Sequence, residues 1–166
     1  IARVDAWFAR EAEKQSGVTI VSKTTPPPMF TPFRLRGLVL SNRVGVSPMC
    51  QYSADDGMPS DWHLVHLGSR ALGGAALVMA EMTDVAREAR ITPGCAGMYT
   101  DGHVAGWRRI VEVVHQFSTA KIGRQLAHAG RKGATELPWN GGGPLPDSAA
   151  WPIVGPSPIA FRAGDQ

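Results

Sequence analysis

Residues 42–52 read Asn-Arg-Val-Gly-Val-Ser-Pro-Met-Cys-Gln-Tyr, and this segment is the most informative about the fold. Val44 and Val46 alternate with other residues and predict a short strand over residues 43–47. A doubly wound nucleotide-binding sheet would place a glycine-rich turn directly after its first strand. Here Ser-Pro-Met-Cys follows at 47–50, and no P-loop motif occurs anywhere in the chain. The sequence therefore favours a (β/α)8 barrel, whose site lies on the loops that follow the strands.

The segments that follow alternate between helical and strand patterns. Asp61 is predicted to cap a helix that runs to Leu72. Residues 75–82 form an apolar run typical of a strand buried on both faces. Asp101 is predicted to cap a second amphipathic helix, and residues 121–126 form the next strand. The apolar face of that helix is predicted to consist of Val104, Trp107, Ile110, Val111, Val114 and Phe117. This order indicates an α/β fold with a parallel sheet.

The N-terminal region has a different character. Residues 1–16 have the pattern of a helix that stops at Gly17, and residues 18–21 have strand composition. A proline-rich linker over residues 24–28 follows, and a small hairpin is predicted around Gly37.

These patterns lead to a prediction about domain organisation. We expect residues 1–28 to be the tail of a preceding domain plus a linker, and residues 29–166 to be the N-terminal half of a TIM barrel. About three of eight strands are visible, whereas such a barrel typically needs ~250 residues. The chain also starts at Ile1 and ends on residues 162–166 without a capped element. We therefore expect the fold to be a truncated (β/α)8 barrel within a longer chain.

Composition disfavours several classes of function. The 166 residues are 43% hydrophobic and 19% charged, which suits a packed core, and the net charge of +3 comes from scattered basic residues rather than a nucleic-acid-binding stripe. A membrane-spanning helix needs about 20 consecutive apolar residues, and no apolar run in the sequence approaches this length. Cys50 and Cys95 form neither a metal-ligand spacing nor a disulfide framework, so a reduced cytoplasmic compartment is expected. His63 and His66 share a helix face without an evident third ligand, so no metal site is predicted.

Polar or unusual residues follow each of the three predicted strands. The first strand leads into residues 47–52, the second into residues 80–83, and the third into Gln-Leu-Ala-His-Ala-Gly-Arg-Lys at 125–132. In a barrel these three ends share one rim, where converging polar groups can bind a planar ligand.

Together these ordered motifs resemble the Old Yellow Enzyme family of NADH:flavin oxidoreductases, and the cysteine in the first loop resembles its YqjM-like branch. Arg-Ile-Thr at 90–92 and Gly-Pro-Ser at 155–157 also match family positions, and the resemblance extends over about residues 30–161. The family implies an FMN-dependent enzyme that takes a hydride from NAD(P)H and reduces an activated C=C bond of a small-molecule substrate.

The resemblance implies a role for seven residues. The cofactor-binding residues would be Ser47, Pro48, Met49, Cys50, Met82 and Gln125, and the catalytic residues would be Cys50 and Tyr52. Cys50 would tune the flavin by hydrogen bonding. The Gln125 amide, both donor and acceptor, would pair with the pyrimidine edge. Met82 stands where the family often has a smaller residue that touches the flavin.

Each of three roles has a plainer alternative. Cys50 can be a small buried hydrophobe, Tyr52 an amphipathic surface aromatic, and Gln125 an ordinary polar residue at a strand end. His128 and Arg131 are also typical of the family, and we expect them to be mainly structural.

Two other functions stay open. Residues 1–8, followed by the proline linker, resemble the junction in bifunctional aromatic-acyl-CoA monooxygenases such as salicylyl-CoA 5-hydroxylase, in which an upstream FAD domain precedes the flavin barrel. The substrate would then be an aromatic acyl-CoA derivative. The plainer alternative is an N-terminal extension of a single-domain reductase. An inactive barrel fragment is the other alternative, because an open sheet edge invites association, including homo-oligomer formation.

Overall fold

A computed structural model describes residues 1–162, so residues 163–166 of the predicted barrel half lie outside the described residues. Three α-helices are present: α1 at Ala2–Ser16, α2 at Asp61–Leu72 and α3 at Asp101–Phe117. The strands are β1 at Phe33–Leu35, β2 at Leu38–Leu40, β3 at Gly45–Val46, β4 at Leu77–Asp84, β5 at Ala96–Gly97 and β6 at Lys121–Ala127. No helix in residues 1–162 is long and apolar enough to cross a bilayer.

The principal sheet is parallel and is centred on β4. β3 pairs with the start of β4, and β6 pairs with β4 along its length from Leu77 to Asp84. The two-residue β5 pairs with the end of β4, at Thr83 and Asp84. The predicted order of strand, helix, strand, helix, strand is therefore confirmed, with the successive long elements adjacent in space.

Helices α2 and α3 cover one face of this sheet and form the core with it. Val78 and Ala80 of β4 pack against Leu67 of α2 and against Trp107 and Ile110 of α3. Because α2 and α3 each present an apolar stripe at helical spacing, both can pack on the sheet side by side. The predicted apolar face of α3 is only partly buried, since Val104 is 41% exposed and Phe117 is 60% exposed.

Both predicted helix caps are wrong by one residue. Ser60 rather than Asp61 caps α2, because its side chain accepts from the backbone of the first turn while His63 accepts from the Ser60 backbone N–H. Thr100 rather than Asp101 caps α3, where its hydroxyl accepts from the His103 backbone N–H. The two aspartates instead start the helices and place negative charge on the first turn, where the helix dipole favours it.

The region before the barrel forms α1 and an antiparallel hairpin. Gly17 ends α1 in the left-handed conformation, with φ of 73°, as predicted. β1 and β2 form the predicted hairpin, in which Phe33 lies opposite Leu40. The predicted strand over residues 18–21 is wrong: this segment is irregular, and the Ile20 backbone N–H donates to the Glu13 carboxylate instead of to a neighbouring strand.

The end of α1 contacts the hairpin. The guanidinium of Arg34 donates to the Ser16 carbonyl at 2.6 Å, and the Gln15 side chain exchanges hydrogen bonds with the Arg34 backbone. Arg43 lies over the rings of Phe8 and Phe33. The division at residue 28 therefore stays a prediction about the chain, while in space α1 is attached to the hairpin that follows it.

Candidate functional site

Three loops leave the principal sheet at the same edge. Because β3, β4 and β6 are parallel, the segments that follow Val46, Asp84 and Ala127 all start at the carboxyl edge. In parallel α/β folds, ligands bind at that edge. The predicted site residues lie on the segment after β3 and on the outer halves of β4 and β6.

Cys50 lies where the segment after β3 meets β4. We call residues 47–52 the cysteine loop. The Cys50 thiol lies near the Met82 backbone amide and near the Tyr52 hydroxyl. Burial is the main cause that raises the pKa of Cys50 to about 11, and the nearby Cys95 and Glu81 add to it. The thiol is therefore neutral at pH 7, which suits a hydrogen-bonding group better than a thiolate nucleophile.

Tyr52 ends the cysteine loop in an uncommon backbone conformation. Its φ is 51°, in the left-handed region that a non-glycine residue rarely adopts. Its ring meets that of Trp139 edge to face, with centroids 5.9 Å apart. Burial raises the pKa of Tyr52, and the neighbouring thiols and Glu81 raise it further. Tyr52 is therefore protonated at neutral pH and can donate a proton or a hydrogen bond.

Met82 and Gln125 lie opposite each other on adjacent strands. The register pairs Met82 of β4 with Gln125 of β6. Gln125 is exposed and Met82 is half-buried, so the amide and the thioether are both accessible at this edge. The structure thus brings Met82 together with Cys50 on one side and with Gln125 on the other.

The remaining predicted contacts precede Cys50. Ser47 is exposed, Pro48 is half-buried and Met49 is 46% exposed. The Met49 carbonyl accepts from the Gln51 side-chain amide at 2.7 Å. All three residues border the same carboxyl edge as Cys50.

Three residues at this edge were not predicted as site residues. Trp139 is 65% exposed beside Tyr52, and its only sequence signal was a tryptophan within a segment rich in glycine and proline. Glu81 and Asp84 are buried carboxylates on the apolar strand β4. The signal for Glu81 was an acid within the apolar run at residues 75–82, and Asp84 follows that run directly.

His63 and His66 do not come together with a third metal ligand. No group of three histidine, cysteine, aspartate or glutamate side chains within residues 1–162 could hold a metal ion. His63 instead has its Nε2 atom 2.8 Å from Glu81 Oε1. Of the two histidines, His63 therefore has a buried acidic neighbour, Glu81.

A family model and individual relatives agree on the family to which this chain is similar. Residues 28–161 match the model of the NADH:flavin oxidoreductase / NADH oxidase family. An NADH:flavin oxidoreductase from Gibberella zeae is 44% identical over 168 residues, covering 99% of this chain and 40% of the relative. An NADPH dehydrogenase from Geobacillus thermodenitrificans is 36% identical over 146 residues, covering 82% of this chain and 43% of the relative.

Solved structures give the same result for the fold. Morphinone reductase superposes with a TM-score of 0.59 at 35% identity, covering 63% of this chain and 27% of the reductase. An Old Yellow Enzyme from a Pichia species superposes with a TM-score of 0.60 at 28% identity, covering 64% of this chain and 28% of that enzyme. The chain thus spans less than half the length of these curated relatives, and its sheet corresponds to the N-terminal part of a (β/α)8 barrel.

Proposed function

Because the chain belongs to the NADH:flavin oxidoreductase / NADH oxidase family, we propose that it supplies part of the FMN site of an NAD(P)H-dependent oxidoreductase. The observation that carries this proposal is the convergence of Cys50, Met82 and Gln125 at one carboxyl edge of the sheet. Bound FMN would supply the redox chemistry, accepting a hydride from NAD(P)H and passing it to the substrate.

The residues at this edge fit a planar, polar cofactor. Gln125 offers both a donor and an acceptor, which suits the pyrimidine edge of an isoalloxazine ring. Cys50 is a neutral thiol beside the Met82 backbone amide, so it can hydrogen-bond a ring atom without itself being charged. Ser47, Pro48 and Met49 would line the same ring from the segment before Cys50.

Tyr52 and Trp139 would form the substrate side of the site. The Tyr52 hydroxyl is next to Cys50, and the edge-to-face contact with Trp139 restricts the orientation of its ring. A small planar substrate stacked on the ring would then lie within reach of this hydroxyl. We infer that the substrate is an activated alkene conjugated to a carbonyl, and that Tyr52 and Cys50 are the catalytic residues of this chain.

The absorbance spectrum of the protein, expressed from its full reading frame, tests the proposal. A yellow protein that releases FMN on denaturation, identified by mass, is the expected result. Bleaching of the flavin band by NADPH or NADH, and its return on adding an enone, would support the proposed reaction. A colourless protein that takes up no added FMN would contradict the proposal.

The aromatic-acyl-CoA monooxygenase stays an alternative prediction. The match of the Gibberella zeae relative over 99% of this chain includes α1, which favours a reductase that carries its own N-terminal segment. An FAD-binding G-x-G-x-x-G upstream of Ile1 in the reading frame, together with FAD released beside FMN, would favour the bifunctional enzyme instead.

A further inference from the structure

Glu81 is a buried carboxylate directly beside the proposed flavin site. Its side chain is 1% exposed, although it belongs to a strand whose other residues are largely apolar. The register of β4 with β6 shifts between Ala80 and Met82, so Glu81 is the extra residue of a bulge. A bulge re-aims a side chain out of the alternating pattern of the strand, and here the carboxylate meets α2 and the cysteine loop.

One carboxylate oxygen of Glu81 contacts His63. The Ser60 backbone N–H donates to His63 Nδ1 at 2.9 Å, so this ring nitrogen carries no proton and the proton lies on Nε2. His63 Nε2 is 2.8 Å from Glu81 Oε1, a short contact that is not aligned as a regular hydrogen bond. The start of α2 thus determines the tautomer of His63, and the Nε2 proton lies beside the carboxylate.

The other oxygen of Glu81 is attached to the cysteine loop. The Gln51 backbone N–H donates to Glu81 Oε2 at 3.0 Å. The Gln51 side chain accepts from the Trp62 indole N–H at 2.9 Å and donates to the Met49 carbonyl. Gln51 is therefore attached to both β4 and α2, and its side chain also holds the Met49 carbonyl on the other side of Cys50. The contact with Glu81 is the buried one.

We propose that Glu81 is a positioning residue for the flavin site: its carboxylate, oriented by His63, holds the Gln51 backbone amide and so determines where Met49 and Cys50 lie. A buried carboxylate needs such donors, since leaving it without partners is costly. The inference deepens the proposed function and rests on it for the identity of the ligand.

The substitution Glu81→Gln tests this role. An amide of the same size presents an NH2 group to either His63 or Gln51, both of which are donors, so one contact is lost. We expect Cys50 to react with iodoacetamide about tenfold faster or more, the ratio that corresponds to a lost hydrogen bond to a charged group. The rates at individual cysteines are measured by peptide mapping, with excess FMN present in every sample.

Cys95 and two further substitutions serve as controls. Cys95 is fully buried, so its rate reports global unfolding and should stay slow. Glu112→Gln makes the same chemical change on the exposed side of α3 and should leave both rates unchanged. His63→Gln can still accept from Ser60 and donate to Glu81, so it should keep Cys50 slow, whereas His63→Leu should behave like Glu81→Gln.

Two outcomes would overturn the inference. The first is an unchanged Cys50 rate in Glu81→Gln, and the second is an equal rise at Cys50 and Cys95, which would indicate general destabilisation. A wild-type protein that binds no FMN would contradict the proposed function, but the alkylation rates would still decide whether Glu81 holds the loop.

Discussion

Asp84 is the buried acid at the end of β4, and it has an unusual environment. It is 0% exposed, and within residues 1–162 neither carboxylate oxygen has a hydrogen-bond partner. Burial is the main cause that raises the pKa of Asp84 to about 7, the Arg90 guanidinium lowers it, and Glu81 raises it. An acid that is neutral in the folded protein avoids the cost of burying a charge.

This environment predicts a pH dependence of stability. Because the folded pKa exceeds the ordinary value of 3.8, the folded state holds the proton more tightly than the unfolded state. The stability from this proton is fully present below about pH 4, is lost as the pH rises toward 7, and stays lost above it.

The substitution Asp84→Asn should remove this dependence, because an amide does not ionise. We expect the free energy of unfolding of Asp84→Asn, relative to wild type, to increase between pH 5 and pH 8. Urea unfolding at fixed FMN concentration measures it, with the exposed Asp147→Asn as the control. A difference that does not change with pH would contradict the raised pKa of Asp84.

Gln125 is the residue of this chain that we propose to pair with the pyrimidine edge of the cofactor. In the proposed site, replacing Gln125 by Leu would leave the pyrimidine edge of FMN buried without its partner. A lost partner of this kind typically costs about 1–3 kcal/mol, so the dissociation constant for FMN should rise by roughly 5- to 150-fold. Flavin fluorescence titration measures it, and an unchanged affinity would remove Gln125 from the site.

At the scale of elements, the cysteine loop depends on a close approach by the segment that contains Gly94. The Ala54 backbone N–H donates to the Gly94 carbonyl at 3.1 Å. A Cβ atom added at Gly94 would lie 2.5 Å from the Tyr52 carbonyl oxygen, closer than real Cβ contacts allow. The left-handed conformation of Tyr52 is therefore held against a backbone surface that only glycine leaves open.

The substitution Gly94→Ala should displace Tyr52. We expect a loss of about 1–3 kcal/mol in the free energy of unfolding, typical of overpacking. With the proposed enone substrate we expect a lower kcat, because the hydroxyl of Tyr52, the proposed catalytic residue, moves. Gly37→Ala is the matched control, since an added Cβ atom there meets nothing within 4 Å. Equal stability and equal kcat for the two variants would show that the backbone around Gly94 shifts to accept a Cβ atom without displacing Tyr52.

At the scale of the whole molecule, Trp107 connects the helical layer to the sheet. It is 1% exposed, its indole N–H donates to the Gly97 carbonyl at 3.0 Å, and the Arg124 guanidinium lies 4.1 Å from the ring centroid. His63 meets the same ring edge to face. One side chain of α3 thus contacts β5, β6 and α2 together.

The substitution Trp107→Ala should destabilise the whole fold rather than one loop. Truncating a large buried aromatic costs about 3–5 kcal/mol, because the cavity cannot be fully closed. Chemical unfolding followed by circular dichroism measures the loss, and Trp139→Ala, which truncates a 65% exposed ring, should cost much less. Similar losses for both variants would contradict the central place of Trp107 in the core.

Strand β6 forms a free edge of the sheet. Within residues 1–162, β6 pairs with β4 alone, and Leu126 of β6 is 62% exposed. The curated relatives are more than twice as long as the matched part, and a closed barrel has no such edge. Further strands of the same barrel would pair with β6 and cover Leu126.

The main helices and strands of the sheet, and their order, follow from local patterns in the sequence. The apolar run before Glu81, the helical spacing of α3 and the motif at residues 47–52 predict a parallel α/β sheet with its site on the loops after the strands. Such patterns are readable because the burial of a strand or a helix face is a periodic, local property. The same patterns misplaced both helix caps and the strand at residues 18–21. The first residue of a helix and the pairing of a strand depend on which hydrogen-bond partners lie nearby in the folded chain.

Which side chains meet at the site depends on contacts between distant parts of the chain. Glu81 and the Gln51 backbone are 30 residues apart in the chain, and the edge-to-face pair of Tyr52 and Trp139 joins loops that share no local pattern. The burial of Asp84 depends likewise on packing from several segments. Long-range contacts of this kind leave no periodic pattern in the sequence. The positions of Glu81 and Asp84 beside the cysteine loop could therefore not be predicted from it.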